Sequence, residues 1–242
     1  MSVNYQKTAV MLKGVGNMAI ATPVIINSKN TVMAQTNAIQ RNTSNSPTVG
    51  VLALQGAVSE HTKKLHQAGC KNVIEVKYAK ELNALDGLII PGGESTAIGH
   101  IMKEFGLIEH LVKRINEGMP VWGTCAGMIL LAKNIVNDDR RHLCVMDITV
   151  ERNAYGRQLE SFTTAVKIPE VSTSPIPLTF IRAPYIVEAS PLINILLSLE
   201  GKIVACRQHN MLATSFHPEL TDDISFHRYF LSMVAEHNSI IS

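Results

Sequence analysis

Pro120-Val-Trp-Gly-Thr-Cys-Ala-Gly127, running on into Met128-Ile-Leu-Leu-Ala-Lys133, is the stretch on which the reading of this chain turns. A short apolar segment, residues 119–122, leads into Gly-x-Cys-x-Gly and emerges as an amphipathic helix. That is the layout of a nucleophile elbow, with cysteine in place of serine. Gly123 and Gly127 lack a Cβ, so a strand and a helix can approach closely around a sharp turn. The turn lifts the Cys125 sulfur to a helix N-terminus, where the positive end of the backbone dipole favours thiolate. A lone cysteine in an apolar stretch is more often a small core residue. The flanking glycines, after a strand and before a helix, favour catalysis.

Outward from this turn, strands and helices alternate. Val49-Gly-Val-Leu-Ala-Leu54 reads as a buried strand, followed by a helix over 57–68 and a second strand over 73–77. Gly87-Leu-Ile-Ile90 is a third strand, ending at Pro91-Gly-Gly-Glu-Ser95. A helix carries Ile98, Ile101, Met102 and Phe105 on one face, and another spans 107–117. Further strands are predicted over 145–151, 163–167, 179–182, 203–207 and 211–216, with a closing helix over 226–236. Alternation of this kind predicts an α/β fold: a three-layer sandwich around a mostly parallel, mixed sheet covered on both faces.

Composition narrows the function classes. The 242 residues are 46% hydrophobic and 17% charged, which suits a compact enzyme rather than a disordered chain. A net charge of +2 without a basic helix face argues against nucleic acid. No apolar run reaches the ~18 residues of a membrane span. Cysteines 70, 125, 144 and 206 show no paired short spacing, so neither a metal site nor a bound cofactor is indicated. Free thiols and the lack of a signal peptide point to the cytoplasm. Residues 1–47 hold Lys7, Lys13, Lys29 and Arg41 but no acid, and read as a poorly ordered extension. A transit peptide and an ordered accessory segment are the other readings. Residues 48–242 then form the catalytic domain.

A cysteine nucleophile needs a base and a group to orient that base. Thr214-Ser-Phe-His-Pro-Glu219 ends the last predicted strand, and extended geometry would set His217 and Glu219 side by side. Glu219 could hold one imidazole nitrogen and turn the other toward Cys125. The other histidines are less suited: His61, His66, His100, His110, His227 and His237 fall on predicted helices, where solvent exposure is the default, and His142 and His209 in loops. Pro91-Gly-Gly is either a structural turn or an oxyanion hole built from backbone N–H groups. Arg152 and Arg182 each end a strand and could grip a carboxylate, or simply pair at the surface. Residues 155–158 are expected to form a loop over the site.

Taken in order, Leu54-Gln-Gly-Ala57, Pro91-Gly-Gly-Glu-Ser-Thr96, Gly123-Thr-Cys-Ala-Gly127, Val150-Glu-Arg-Asn153, Phe180-Ile-Arg-Ala-Pro184 and Ser215-Phe-His-Pro-Glu-Leu-Thr221 resemble one family. It is that of the glutaminase subunits of pyridoxal 5′-phosphate synthase, within the class I triad glutamine amidotransferases. The resemblance covers residues 48–238. It implies hydrolysis of L-glutamine to glutamate and ammonia, with Cys125 as nucleophile, His217 as general base and acid, and Glu219 as the orienting carboxylate. It implies glutamine contacts at Gly93, Glu94, Ser95, Arg152, Ile181 and Arg182, and oxyanion donors near Gly93 and Ala126. It also implies a TIM-barrel synthase subunit as partner, which receives the ammonia and activates the glutaminase on docking. A triad glutaminase serving a different acceptor, and a silent binding subunit, are the competing readings.

Overall fold

The computed structural model describes residues 46–152 and 161–241. Its centre is a run of parallel strands whose hydrophobic residues alternate between two faces. The strands are β1 (Thr48–Leu52), β2 (Asn72–Val76), β3 (Gly87–Ile90) and β4 (Val121–Thr124), with β12 (Met211–Thr214) returning beside β4. In spatial order they run β2-β1-β3-β4-β12, all parallel. Beyond β12 the sheet turns antiparallel through β11 (Lys202–Gln208) and β9 (Tyr185–Ala189), reaching β6 (Met146–Glu151) and β5 (Ala132–Ile135). A further strand, β10 (Asn194–Leu199), pairs with β11. The expected mixed, mostly parallel sheet is therefore present.

The period-2 alternation sorts side chains into two cores. Leu52, Leu88, Ile90 and Val121 pack on one face against α2 (Ser95–Glu104), α3 (Leu107–Asn116) and α4 (Ala126–Leu131). Val49, Val51, Ile89 and Trp122 point the other way, toward α1 (Val58–Gln67) and α5 (Ser225–Ile241). That second core is completed by a two-stranded ribbon, β7 (Ser161–Ile168) with β8 (Ser172–Ile181), which contributes Ile168, Leu178 and Phe180. Burial on both faces explains why β1, β3 and β4 read as continuous apolar runs.

Four features depart from the sequence reading. The helix after Cys125 ends at Leu131, and Ala132–Ile135 is a strand. Pairing with β6 at the sheet edge overrides the helical pattern there. Strands β9 and β10 were not expected; pairing with β6 and β11 sets them rather than any alternation of their own. Strand β8 begins well before residue 179 despite Pro175 and Pro177, because a two-stranded ribbon tolerates proline along its open sides. Pro218–Leu220 forms a 3₁₀ turn instead of continuing extended beyond His217. The expected N-terminal extension, apart from residues 46 and 47, and the expected loop over 155–158 lie outside the described residues. Among the described residues no helix is long and apolar enough to cross a membrane.

Candidate active site

Parallel strands deliver their C-terminal ends to one edge of the sheet, where ligands collect in open α/β folds. The order β1-β3-β4-β12 sets four loops side by side: Gln55 after β1, Pro91–Ser95 after β3, Cys125 after β4, and Ser215–His217 after β12. Thr124 lies opposite Thr214 in register, and the Cys125 N–H donates to Thr214 O at 2.7 Å. Cys125 and the Ser215–His217 segment therefore leave neighbouring strands at the same level.

Cys125 has φ 49° and ψ −104°, a conformation that side chains other than glycine rarely adopt. The elbow is as tight as the glycine spacing suggests. A Cβ on Gly127 would sit 2.2 Å from Ile90 O, and one on Gly123 2.4 Å from the Gly127 carbonyl carbon. His217 and Cys125 line the same cleft, and a Cβ on Gly92 would lie 2.5 Å from His217 Cε1 and 3.3 Å from Cys125 Cβ. His217 Nδ1 is 2.8 Å from Glu219 Oε1, which leaves Nε2 for Cys125. The 3₁₀ turn, with Pro218 at its first position, brings the carboxylate back under the ring. Burial acts to lower the His217 pKa, but the bonds to Cys125 and Glu219 win and raise it to about 10. For Glu219 burial acts upward, and His61 and His217 together pull its pKa below the usual carboxylate value.

A cavity of about 410 Å³ opens over these groups. Its walls include Gly93, Glu94, Ser95, Cys125, Ala126, Arg152, Ile181, Arg182 and His217, so the residues singled out from sequence share one cleft, with Glu219 behind His217. Arg152 is held between two acids, with Nη2 3.0 Å from Glu94 Oε1 and Nη1 3.2 Å from Asp138 Oδ2. Glu94 also caps α2 by accepting from Ala97 N at 2.7 Å. Arg182, at φ 42°, and the exposed Ile181 close the cleft from the end of β8. Among the described residues no cluster of three or more His, Cys, Asp or Glu side chains is arranged for a metal.

The profile of the SNO glutamine amidotransferase family matches residues 51–236. The chain belongs to the SNO glutamine amidotransferase family. Among its relatives in this family, the pyridoxal 5′-phosphate synthase subunit PdxT of Ruminiclostridium cellulolyticum is 62% identical over 186 residues, spanning 77% of this chain and 98% of that protein. PdxT of Thermotoga maritima is 54% identical over 186 residues, again 77% and 98% of the two chains. A crystal structure titled glutamine amidotransferase superposes with a TM-score of 0.73 at 43% identity, covering 77% of this chain and 98% of its own.

Three residues around the cleft escaped the sequence reading. Gln55 lines it and accepts from Glu94 N at 2.9 Å; the Leu54-Gln-Gly-Ala57 segment that carries it is the signal in the sequence. His61 and His227, expected on exposed helix faces, are both completely buried. Helical position alone hid this, because α1 and α5 pack their polar side chains toward the strand ends beneath Trp122.

Proposed function

We propose that this chain hydrolyses L-glutamine to L-glutamate and ammonia, with Cys125, His217 and Glu219 as its triad, as the glutaminase subunit of a pyridoxal 5′-phosphate synthase. The observation that carries the reading is a cysteine held at positive φ at a strand end, facing an imidazole whose far nitrogen is bound to a buried carboxylate at 2.8 Å. Family membership and the PdxT relatives support the substrate and the acceptor.

His217, held as the imidazolium beside Glu219, carries the proton drawn from the thiol, and the thiolate sulfur attacks the side-chain amide carbon of glutamine. The carbonyl oxygen becomes an oxyanion, stabilised by backbone N–H groups at Gly93 and at Ala126, the first residue of α4, where helix N–H groups lack internal partners. His217 then protonates the departing nitrogen, the C–N bond breaks, and ammonia leaves a γ-glutamyl thioester. Water attacks that thioester with His217 as base, releasing glutamate and restoring the thiol. Arg152 and Arg182 offer charge for the substrate carboxylate, and Glu94 for its ammonium, with Ser95 and Ile181 completing the walls.

Ammonia loses its nucleophilicity once protonated, so transfer through a sealed interface to the partner, a TIM-barrel synthase subunit, makes chemical sense. Glutamate release should therefore be slow for the isolated chain and accelerate on adding that subunit, and Cys125→Ala should abolish it while leaving docking intact. Fast release indifferent to the synthase would remove the partnership; release by Cys125→Ala would remove the mechanism.

A further inference from the structure

Behind the proposed triad lies a pair of imidazoles, His61 and His227. Glu219 presents Oε1 to His217, but its Oε2 is buried and makes no hydrogen bond of its own. His61 Nε2 sits 3.3 Å from that oxygen. On the other side of the same ring, His61 Nδ1 is 3.1 Å from His227 Nε2, and Thr124 Oγ1 lies 3.4 Å from His61 Nε2. These contacts join α1, α5 and the end of β4 to the carboxylate.

We propose that His61 is a positioning residue: it carries its proton on Nε2, directs it at Glu219 Oε2, and so fixes the carboxylate that orients His217. The inference rests on the triad role of Glu219 proposed above. The tautomer follows from the neighbours. A proton on His61 Nδ1 would turn the Nε2 lone pair, with only the Thr124 hydroxyl beside it, toward a buried carboxylate. It would also force the proton of His227 onto Nδ1, which is buried without a partner. With the proton on His61 Nε2, His227 donates from its Nε2 to His61 Nδ1, and only a lone pair is left unpartnered. His227 thus sets the tautomer of His61 much as Glu219 sets that of His217.

Burial acts against charge on both rings. Burial lowers the His61 pKa, opposed by Glu219 and assisted by His217, with Glu60 on its own helix a minor upward influence. Burial lowers His227 to about 2, with His61 and Lys64 acting in the same direction. A neutral donor satisfies the carboxylate without cancelling its charge, so Glu219 still stabilises the imidazolium of His217.

The test compares His61→Gln, whose amide N–H reaches the Nε2 position, with His61→Met, which fills the space without a donor. Both are made in the full chain, with pyridoxal 5′-phosphate synthase subunit added for turnover and thermal unfolding recorded to establish folding. The readouts are kcat and KM for glutamate release, and the pH profile of Cys125 alkylation by iodoacetamide, followed on the Cys125 peptide by mass spectrometry. His61→Met should lower kcat about 10- to 100-fold, the range seen when an outer support of a functional ligand is lost, with KM unchanged. Its alkylation profile should shift its acid limb to higher pH, because Glu219 takes a proton more readily. His61→Gln should restore most of both. Wild-type kcat and profile in His61→Met would overturn the proposal, as would equal losses in both variants with an unmoved profile. Should His61→Met fail to fold, His61→Asn replaces it: its shorter amide cannot reach Glu219, and activity equal to His61→Gln would overturn the proposal. Absence of wild-type glutamate release would count against the glutaminase reading alone, since the alkylation profiles decide the role of His61 without turnover.

Discussion

Lowering the pH should destabilise this protein in a way that one substitution can isolate. His227 is completely buried against Trp122 and His61, and its pKa falls to about 2. In the unfolded chain the same ring titrates near 6.5. For a histidine lowered on folding, the unfolded state binds the proton first, so stability falls as pH drops below the unfolded value. Between about pH 7.5 and pH 5 this amounts to ~2 kcal/mol for a single histidine, from 1.36 kcal/mol per pH unit. His61 acts in the same direction. His217 behaves oppositely: its contribution is fully present below the unfolded pKa and is lost as pH rises toward about 10. It is common to wild type and variant, so it cancels from their difference. His227→Phe keeps an aromatic ring beside Trp122 and removes the titration. Urea unfolding of both proteins at a series of pH values gives two curves of stability against pH. Whatever the offset at neutral pH, the variant should lose ~2 kcal/mol less than wild type on acidification to pH 5. Parallel curves would refute the claim that His227 is buried neutral.

Other changes reach the cleft more directly. A Cβ on Gly92 would lie 2.5 Å from His217 Cε1, so Gly92→Ala should displace the base and lower kcat roughly 100-fold while the protein still folds, by glutaminase assay and circular dichroism. Arg152→Lys keeps the charge but loses the planar fork that spans Glu94 and Asp138; steady-state kinetics should show KM for glutamine rising about tenfold, with a smaller change in kcat. In Cys125→Ala the sulfur that helps raise His217 is gone, so the histidine pKa, followed by NMR, should fall from about 10 while its bond to Glu219 persists.

The legible parts of this chain were those whose local chemistry allows few alternatives. Val49–Leu52, Gly87–Ile90 and the Gly-x-Cys-x-Gly turn announce buried parallel strands and a tight elbow, because short apolar runs between helices and glycines two residues either side of a cysteine fit few other arrangements. His217 with Glu219 was legible for a similar reason, although the spacing suggested an extended segment and the chain makes a 3₁₀ turn. Strands β5, β9 and β10 were not legible, since their state is decided by partners far away in sequence. The burial of His61 and His227 was hidden too: a histidine on a helix carries no mark of which face turns inward.

The most direct measurement is to expose the complex of this chain with its synthase subunit to a glutamine-analogue electrophile and map the adduct by mass spectrometry. One equivalent on Cys125, blocked by glutamine, is the predicted result. Modification at Cys70, Cys144 or Cys206 while glutamate release continues undiminished would contradict the assignment of the nucleophile.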